Sequence, residues 1–206
     1  MSPQKLAISV FCAIHAVAGF CSPLTLKQPA NIPVFVDSYK VPALVGASVK
    51  VPCVLNLDNC TETATIVNRG SFGSRTPCAS FPVKDIVRGE FRLLLSDNFT
   101  PVSDVAQAKL ELKIESRRIV VEVESEKFGD KWVDCDIALA IMLLNPNHLD
   151  IPYFSKVYST KCGCKLKEDG LVPQCIYESV QKTVKKFVSE MTADANLMAR
   201  LGGLAK

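Results

Sequence analysis

The sequence predicts an α+β fold, a two-layer sandwich in which a mostly antiparallel sheet is covered on one face by two main helices. Residues 109–115 and 132–144 alternate apolar and polar side chains with the period of two that a strand with one buried face requires. Residues 82–99 and 173–191 instead repeat their apolar side chains every three or four positions, as amphipathic helices do. Elements that each have one apolar side are expected to bury those sides against one another in two layers.

The N-terminal residues 1–20 have the features of a secretory signal peptide in the expected order. Lys5 supplies a positive charge and is followed by a mostly apolar run over residues 6–17. Ala16 and Ala18 are then the small residues that a signal peptidase reads. The apolar run is too short to cross a membrane as a helix, which takes about 20 residues. The chain is therefore expected to be exported.

Residues 21–47 are expected to form a tether and an N-terminal strand, because the segment begins with many proline, serine and other polar residues. Cys21 comes directly after the predicted signal peptide and is the candidate site of a lipid anchor. Ala18 and Gly19 are the small pair that precedes a lipidated cysteine in bacteria, whereas Phe20 stands where another small residue is expected. The sequence leaves open whether Cys21 carries lipid.

Residues 48–200 are expected to form a single domain, followed by a tail at 201–206. Loss of the signal peptide leaves roughly 185 residues, a length typical of one domain. A hydrophobic content of 48% and a charged content of 22% are those of a chain that folds into a globular core. The net charge of +3 gives no electrostatic reason to expect a nucleic-acid partner.

The first half of the domain is predicted to contain a strand, a loop and a helix. Residues 48–57 alternate as a strand, and Pro52 within them indicates an edge position or a bulge. Residues 68–77 are rich in glycine and serine, which predicts a loop. Residues 82–99 form the first main helix. Its apolar stripe consists of Val83, Ile86, Val87, Phe91, Leu94 and Leu95.

The second half is predicted to contain three strands and the closing helix. The strand at 109–115 is expected to continue to residue 123 through a bulge near Arg117, where the phase of the alternation shifts. Asp134 and Asp136 begin one face of the strand at 132–144, and that face becomes apolar further on. The strand at 153–161 is expected to return antiparallel to it. The closing helix then covers the same side of the sheet. Its apolar stripe consists of Val180, Val184, Phe187, Val188 and Met191.

The cysteine pattern favours a disulfide-bonded protein. Of the nine cysteines, Cys12 leaves with the signal peptide, and the even number that remains suits an oxidising compartment. The candidate half-cystines are Cys53, Cys60, Cys78, Cys135, Cys162, Cys164 and Cys175, with Cys21 as the eighth if it is not lipidated. The sequence does not determine the connectivity. A local bridge between Cys53 and Cys60 is expected, and a bridge from Cys164 to Cys175 would join the last strand to the closing helix.

Cys162 and Cys164 form a Cys-Gly-Cys pair that could act as a redox disulfide or contribute to a metal site. The mature chain has a single histidine, His148, whereas zinc sites usually combine thiolates with histidines at regular spacing. We therefore expect two structural half-cystines bonded elsewhere, with no metal and no cofactor. A thiol–disulfide oxidoreductase is the less favoured alternative.

No catalytic constellation is predicted. His148 lies in an Asn-Pro-Asn-His turn, and the sequence has no Gly-x-Ser-x-Gly nucleophile elbow to accompany it. Asp134 and Asp136 are two residues apart on one strand, where paired acids usually mark the solvated end of the strand. Asn59 and Asn98 begin Asn-x-Thr sequons, which would accept glycans only in a eukaryotic secretory route.

The segment around Asn68, Gly70 and Gly73 supports a family resemblance, as does the order of elements at 110–144, 153–160 and 176–193. From about residue 48 onward the chain resembles the YajG-type bacterial envelope lipoproteins. More loosely, it is similar to the auxiliary lipoproteins of ABC-type lipid and solvent transport systems. The resemblance implies an outer-membrane lipoprotein that faces the periplasm.

The predicted function is therefore that of a non-enzymatic envelope protein, with a structural, binding or transport-accessory role. Its expected partner is an envelope protein or a lipid, and a lipid on Cys21 would attach it to the membrane. The alternative is a soluble secreted binding protein stapled by disulfides. Self-association through the segment 104–115 stays open.

Overall fold

A computed structural model describes residues 24–25, 39–45, 49–69, 74–125, 131–148, 151–165 and 173–204. The predicted signal peptide at 1–20, the candidate anchor Cys21, and Gly70 and Gly73 of the family-like segment lie outside the described residues. Most of the expected tether lies outside them as well.

The described elements alternate short strands with helices in the first half of the chain and place long strands in the second half. The strands are β1 Leu24–Thr25, β2 Pro52–Asn56, β3 Ala64–Arg69, β4 Arg75–Phe81, β5 Thr100–Val102, β6 Leu110–Ser125, β7 Lys131–Leu144 and β8 Phe154–Lys165. The helices are α1 Pro42–Val45, α2 Val83–Asn98, α3 Gln174–Ala193 and α4 Ala195–Leu204, with a 3-10 turn at Val105–Gln107.

Within the described residues, the strands form one sheet organised around β6. On one side, β6 pairs antiparallel with β7 along its length, and β7 pairs antiparallel with β8. On the other side, β2 pairs in parallel with the beginning of β6, and β3 pairs in parallel with its end. β4 pairs antiparallel with β3, and β1 pairs in parallel with β4. β5 pairs in parallel with β2. The long pairings confirm the prediction of a mostly antiparallel sheet.

The two main helices, α2 and α3, lie against one face of this sheet, which confirms the predicted two-layer α+β sandwich. The predicted apolar stripe of α2 is buried at every position. On α3, Val188 is half-buried and the other predicted residues of the stripe are buried. Their partners across the layer are the inward-facing residues of the central strands. Examples are Leu112, Ile114, Leu139 and Ile141, all 0% exposed.

The predicted bulge in β6 is confirmed, because the register with β7 shifts between Ser116 and Arg118. Before the shift, the even-numbered residues Leu112 and Ile114 face the core. After the shift, the odd-numbered residues Val121 and Val123 take that side. One extra residue reverses the parity of a strand, so a single bulge keeps both halves of β6 apolar on the inside.

Two predictions for the first half of the domain are wrong. Pro52 does not lie on an edge strand, because β2 pairs with both β5 and β6; instead it is the first residue of the strand, where a missing N–H is tolerated. The predicted loop at 68–77 is wrong at both ends, because residues 68–69 belong to β3 and residues 75–77 to β4. Asn68 continues β3 opposite Thr76 and Val123, since neighbouring strands on both sides supply hydrogen bonds for this segment.

The two ends of the domain also differ from expectation. Helix α4 begins at Ala195, runs into the segment 201–206 and buries Leu197 and Leu201, so the predicted boundary at residue 200 falls inside a helix. Within the segment 104–115, residues 111–113 of β6 offer no free edge for self-association, because they are paired with β2 on one side and β7 on the other. Among the described strands, β8 is the one at the edge of the long antiparallel half.

Candidate functional site

A groove of about 610 Å³ lies between α2 and the strands β2 and β5. Leu55, Leu57 and Leu95 contribute an apolar wall to it. Lys84, Arg88 and Arg92 also line it, and their spacing of four residues places them on one side of α2. Because the apolar stripe of α2 is turned to the core, these cations stand at the rim of the groove. The groove thus combines apolar surface with positive charge.

The three cations of the groove differ in how far their charge is already neutralised. The ammonium of Lys84 lies 2.5 Å from a carboxylate oxygen of Glu62, and Arg88 lies 2.5 Å from Asp85 one turn before it. Arg92 is exposed and has no hydrogen bond or ion pair with any residue that the structure describes. Arg92 is therefore available to an anionic group that enters the groove.

A second cavity, of about 460 Å³, lies over the face of the sheet that the helices leave uncovered. Acidic and basic side chains that line it neutralise one another in ion pairs. Asp136 lies 3.3 Å from Arg118 and 3.9 Å from Lys161, and Asp134 accepts a hydrogen bond of 3.2 Å from the indole of Trp132. The predicted carboxylate pair is thus held in ion pairs and a hydrogen bond on the outer face. His148 is exposed in the turn between β7 and β8, as predicted.

A buried polar network, not predicted from the sequence, joins the two main helices and the N-terminal segment. Glu90 on α2 is 5% exposed and accepts hydrogen bonds from the hydroxyl of Tyr39 at 2.6 Å and from Gln181 on α3 at 3.0 Å. Burial raises the pKa of Tyr39, and the adjacent Glu90 carboxylate raises it further. One signal was present in the sequence, since Glu90 falls four residues after Ile86 and so within the apolar stripe of α2.

Asn98 fastens the segment Tyr39–Val41 to the end of α2. Its carbonyl oxygen accepts a hydrogen bond of 2.7 Å from the N–H of Val41, and its amide donates to the carbonyls of Tyr39 and Leu94 at 2.7 and 2.9 Å. Asn98 is 1% exposed, so its Asn-x-Thr sequon cannot accept a glycan in the folded protein. The other sequon residue, Asn59, is exposed.

Four of the candidate half-cystines come together where β7 and β8 meet the beginning of α3. Cys135 on β7 and Cys162 on β8 are direct partners across the two strands. Cys164 is opposite Val133, and its sulfur accepts a hydrogen bond of 3.4 Å from the N–H of Cys175. We call Cys135, Cys162, Cys164 and Cys175 the cysteine cluster.

The surroundings of Cys135, Cys162 and Cys175 disfavour the thiolate form of each. Burial raises the pKa of Cys135 to about 12. The adjacent sulfur of Cys164 and then burial raise the pKa of Cys175 far above its usual value. Burial and a hydrogen bond to Glu178 raise the pKa of Cys162, although Lys182 opposes them. Catalysis of disulfide exchange needs a thiol whose pKa is lowered, and the pKa values of Cys135, Cys162 and Cys175 are instead raised.

The described residues contain no group of three or more histidine, cysteine, aspartate or glutamate side chains placed to hold a metal ion. The cysteine cluster is therefore not arranged as a zinc site. A tetrahedral thiolate site would require all its sulfurs to converge on one point.

The remaining described cysteines lie apart from the cluster and from one another. Cys53 pairs with Leu110 near the start of β6, whereas the sulfur of Cys60 lies 3.4 Å from the hydroxyl of Ser116. Leu110 and Ser116 are six residues apart on β6, which corresponds to about 20 Å. A disulfide allows only roughly 7 Å between Cα atoms. The expected bridge between Cys53 and Cys60 is thus incompatible with this register. Cys78 lies on β4, and its thiol donates to the carbonyl of Ile66 at 3.3 Å.

Comparison with known proteins relates this chain to others through its fold. No family model and no curated protein matches the sequence. The chain is similar to the crystal structure of a Xanthomonas campestris protein of family DUF330, with a TM-score of 0.56 and 13% identity over 84% of this chain and 98% of that one. At this identity the likeness establishes a shared fold and leaves the function open.

Two further solved structures are more distant. A homologue of the neuraminyllactose-binding hemagglutinin from Helicobacter pylori has a TM-score of 0.37 and 15% identity, over 75% of this chain and 91% of that one. A minor lipoprotein from Acinetobacter baumannii has a TM-score of 0.36 and 6% identity, over 71% and 93%. Neither similarity is close enough to carry a conclusion about this chain. Of the helices that the structure describes, none has the length and apolar character needed to cross a membrane.

Proposed function

We propose that the protein is an exported, non-enzymatic envelope protein that works by binding, and that the groove beside α2 holds the anionic head of a lipid. The observation that carries this proposal is Arg92, exposed and without a hydrogen bond or ion pair to a described residue, beside an apolar wall in one groove. Lys84 and Arg88 line the same groove but are already paired with carboxylates. An anionic lipid presents the matching pair of features, a negatively charged phosphate next to a hydrocarbon chain.

The dimensions and charge of the groove support this ligand class. A volume of about 610 Å³ lies within the range of small-molecule sites, about 300–1,000 Å³, and suits a headgroup with the first part of an acyl chain. Asp58 is an acidic residue in the lining, so the positive charge is concentrated on the α2 side. A phosphate would therefore be expected to contact Arg92, while Leu55 and Leu57 contact the chain.

Removing the charge of Arg92 should weaken binding to anionic membranes about fivefold, since one basic side chain near an anionic surface contributes about 1 kcal/mol. The measurement is co-sedimentation of wild type and Arg92→Gln with phosphatidylglycerol/phosphatidylcholine vesicles. Lys185→Gln is the matched control, because Lys185 is an exposed lysine on α3 away from the groove. Arg92 has no hydrogen bond or ion pair with a described residue, so the substitution should leave folding unchanged.

Three further results decide the proposal. Binding should be much weaker to vesicles of phosphatidylcholine alone, and it should fall at high salt because exposed charges are then screened. Equal loss in Arg92→Gln and Lys185→Gln would mean that net charge, and not the groove, attracts the vesicle. Equal binding to charged and uncharged vesicles would contradict the proposal.

The proposed location is the outer membrane, facing the periplasm, with Cys21 as the lipidated first residue. The order of charge, apolar run and small residues in 1–20 supports export, and the position of Cys21 supports an anchor. The intact mass of the protein from its native envelope tests both. A mass that begins at Cys21 with added acyl chains is expected. A mass that begins at Gly19 without lipid would instead indicate the soluble secreted binding protein.

The resemblance to YajG-type and transport-accessory lipoproteins agrees with this proposal, and it makes an envelope protein a second class of partner to test. The vesicle assay uses only lipid and protein, so its outcome does not depend on such a partner.

A further inference from the structure

The register between β7 and β8 distinguishes the three connectivities that a cluster of four cysteines allows. We propose that Cys164 forms a disulfide with Cys175, and that Cys135 forms a second one with Cys162. The pair of bridges would fix the beginning of α3 to the edge strand β8 and join β8 to β7. This inference is independent of the lipid groove, which lies beside α2.

The geometry around Cys175 supports its bridge to Cys164. The N–H of Cys175 lies 3.4 Å from the sulfur of Cys164, so the two residues are already in contact. The sulfur of Cys175 lies 3.7 Å from the carbonyl oxygen of Val133, which is the direct cross-strand partner of Cys164. Both sulfur atoms are therefore located over the same rung of the β7–β8 ladder.

The second bridge joins two residues that are direct cross-strand partners. Cys135 faces the helices, since Val133 and Ile137, two residues away on either side, are 0% exposed. Cys162 faces the same way, because its neighbour in the alternation, Thr160, is 3% exposed and bonds to the α3 backbone. Direct partners have Cβ atoms about 4.5–5.5 Å apart, close to the 3.5–4.5 Å of a disulfide.

The other two connectivities require longer distances. Cys162 and Cys164 are two residues apart on an extended strand, so their Cβ atoms are about 6.5 Å apart, beyond the 3.5–4.5 Å of a disulfide. Gly163 between them is held in register with Asp134, which keeps this part of the strand extended. Cys135 and Cys164 are diagonal neighbours, typically about 7–8 Å apart. A bridge from Cys162 to Cys175 is disfavoured as well, because the sulfur of Cys162 lies 3.1 Å from a carboxylate oxygen of Glu178, one turn of α3 beyond Cys175. A redox disulfide within the Cys-Gly-Cys pair is therefore disfavoured.

Formation of each bridge consumes one low-molecular-weight disulfide, such as oxidised glutathione. A protein thiolate attacks the glutathione disulfide and releases one glutathione, and the partner cysteine then attacks the mixed disulfide and releases the second. One protein S–S bond forms and one glutathione S–S bond breaks. The protons of the two protein thiols end on the two glutathione thiols.

The test is disulfide mapping of the mature full-length chain after equilibration with oxidised and reduced glutathione. Accessible thiols are alkylated in denaturant, and the protein is cut with trypsin and analysed by mass spectrometry. Cleavage after Lys161 and Lys165 leaves Cys162 and Cys164 in one peptide. The variants Cys164→Ser and Cys162→Ser therefore assign the partners, and Cys53→Ser, outside the cluster, is the matched control.

All four cluster cysteines should resist alkylation in the wild type. In Cys164→Ser, Cys175 should become alkylated while Cys135 stays protected. In Cys162→Ser, Cys135 should become alkylated while Cys175 stays protected. Fragmentation of the wild-type linked peptides between Cys162 and Cys164 gives the same assignment without any substitution. Reduction should also lower the melting temperature by about 5–10 °C. Alkylation of all four cysteines, a bond within 162–165, or alkylation of Cys135 in Cys164→Ser would overturn the proposal.

Discussion

Replacement of Phe187 by alanine is expected to lower the free energy of unfolding by about 3–5 kcal/mol. Phe187 is 0% exposed, and its ring meets those of Phe154 and Tyr158 edge-on, with centroids 5.4 and 6.3 Å away. The substitution removes the buried ring and leaves a cavity between α3 and β8. It also removes two aromatic contacts, each of which contributes about 0.5–1.5 kcal/mol beyond burial.

Urea unfolding followed by circular dichroism measures this loss. Leu93→Ala is the control, because Leu93 is an apolar residue on α2 that is 48% exposed and away from the core. The control should change stability by no more than about 0.5 kcal/mol. A loss below about 1.5 kcal/mol in Phe187→Ala would mean that α3 does not pack against β8 through this ring.

Replacement of Asn98 by alanine is expected to cost about 2–4 kcal/mol. The N–H of Val41 and the carbonyl of Tyr39 would each lose the partner that Asn98 supplies. Leaving a buried polar group without a partner costs about 1–3 kcal/mol. The carbonyl of Leu94 accepts a helical hydrogen bond from the backbone as well, so its loss should matter less.

Hydrogen exchange measures the loss of stability in Asn98→Ala and also shows which amides lose protection. The amide of Val41 should exchange faster in Asn98→Ala, even in conditions where the protein stays folded, because its acceptor is gone. Ser96→Ala is the matched control, since Ser96 is exposed on the same turn of α2 and, among the described residues, its hydroxyl bonds only to the carbonyl of Leu93. If both variants lost the same stability, Asn98 would not be the residue that holds the N-terminal segment.

The elements that sequence analysis predicted well are those whose signal lies within the element itself. The stripe of α2 and the alternation of β7 repeat over enough residues to reveal one buried face. The bulge in β6 was visible because the alternation changes parity near Arg117. By contrast, parts of β3 and β4 were predicted as a loop because of the glycines and serines near them. These parts are strands because β3 pairs with both β4 and β6.

Only part of the candidate site could be predicted from the sequence. The spacing of Lys84, Arg88 and Arg92 could be read from the sequence as a charged side of a helix. That this side borders Leu55 and Leu57 depends on how α2 crosses β2, which no local pattern encodes. The positions of the cysteines are read directly from the sequence, but the register of β6 was needed to show that Cys53 and Cys60 lie apart.

The sequence by itself determined the two-layer α+β class, the apolar faces and the expectation of export, because each depends on residues that are neighbours in the chain. Tertiary structure alone decided the parallel pairings with β6, the meeting of four cysteines in the cysteine cluster and the buried network of Glu90 and Asn98. These features join residues far apart in sequence; Asn98 and Val41, for instance, are 57 positions apart. Their free energy arises only when strands and helices are brought into register. The position of Glu90 in the apolar stripe of α2 indicates that its carboxylate is buried, but no pattern in the chain names its partners Tyr39 and Gln181.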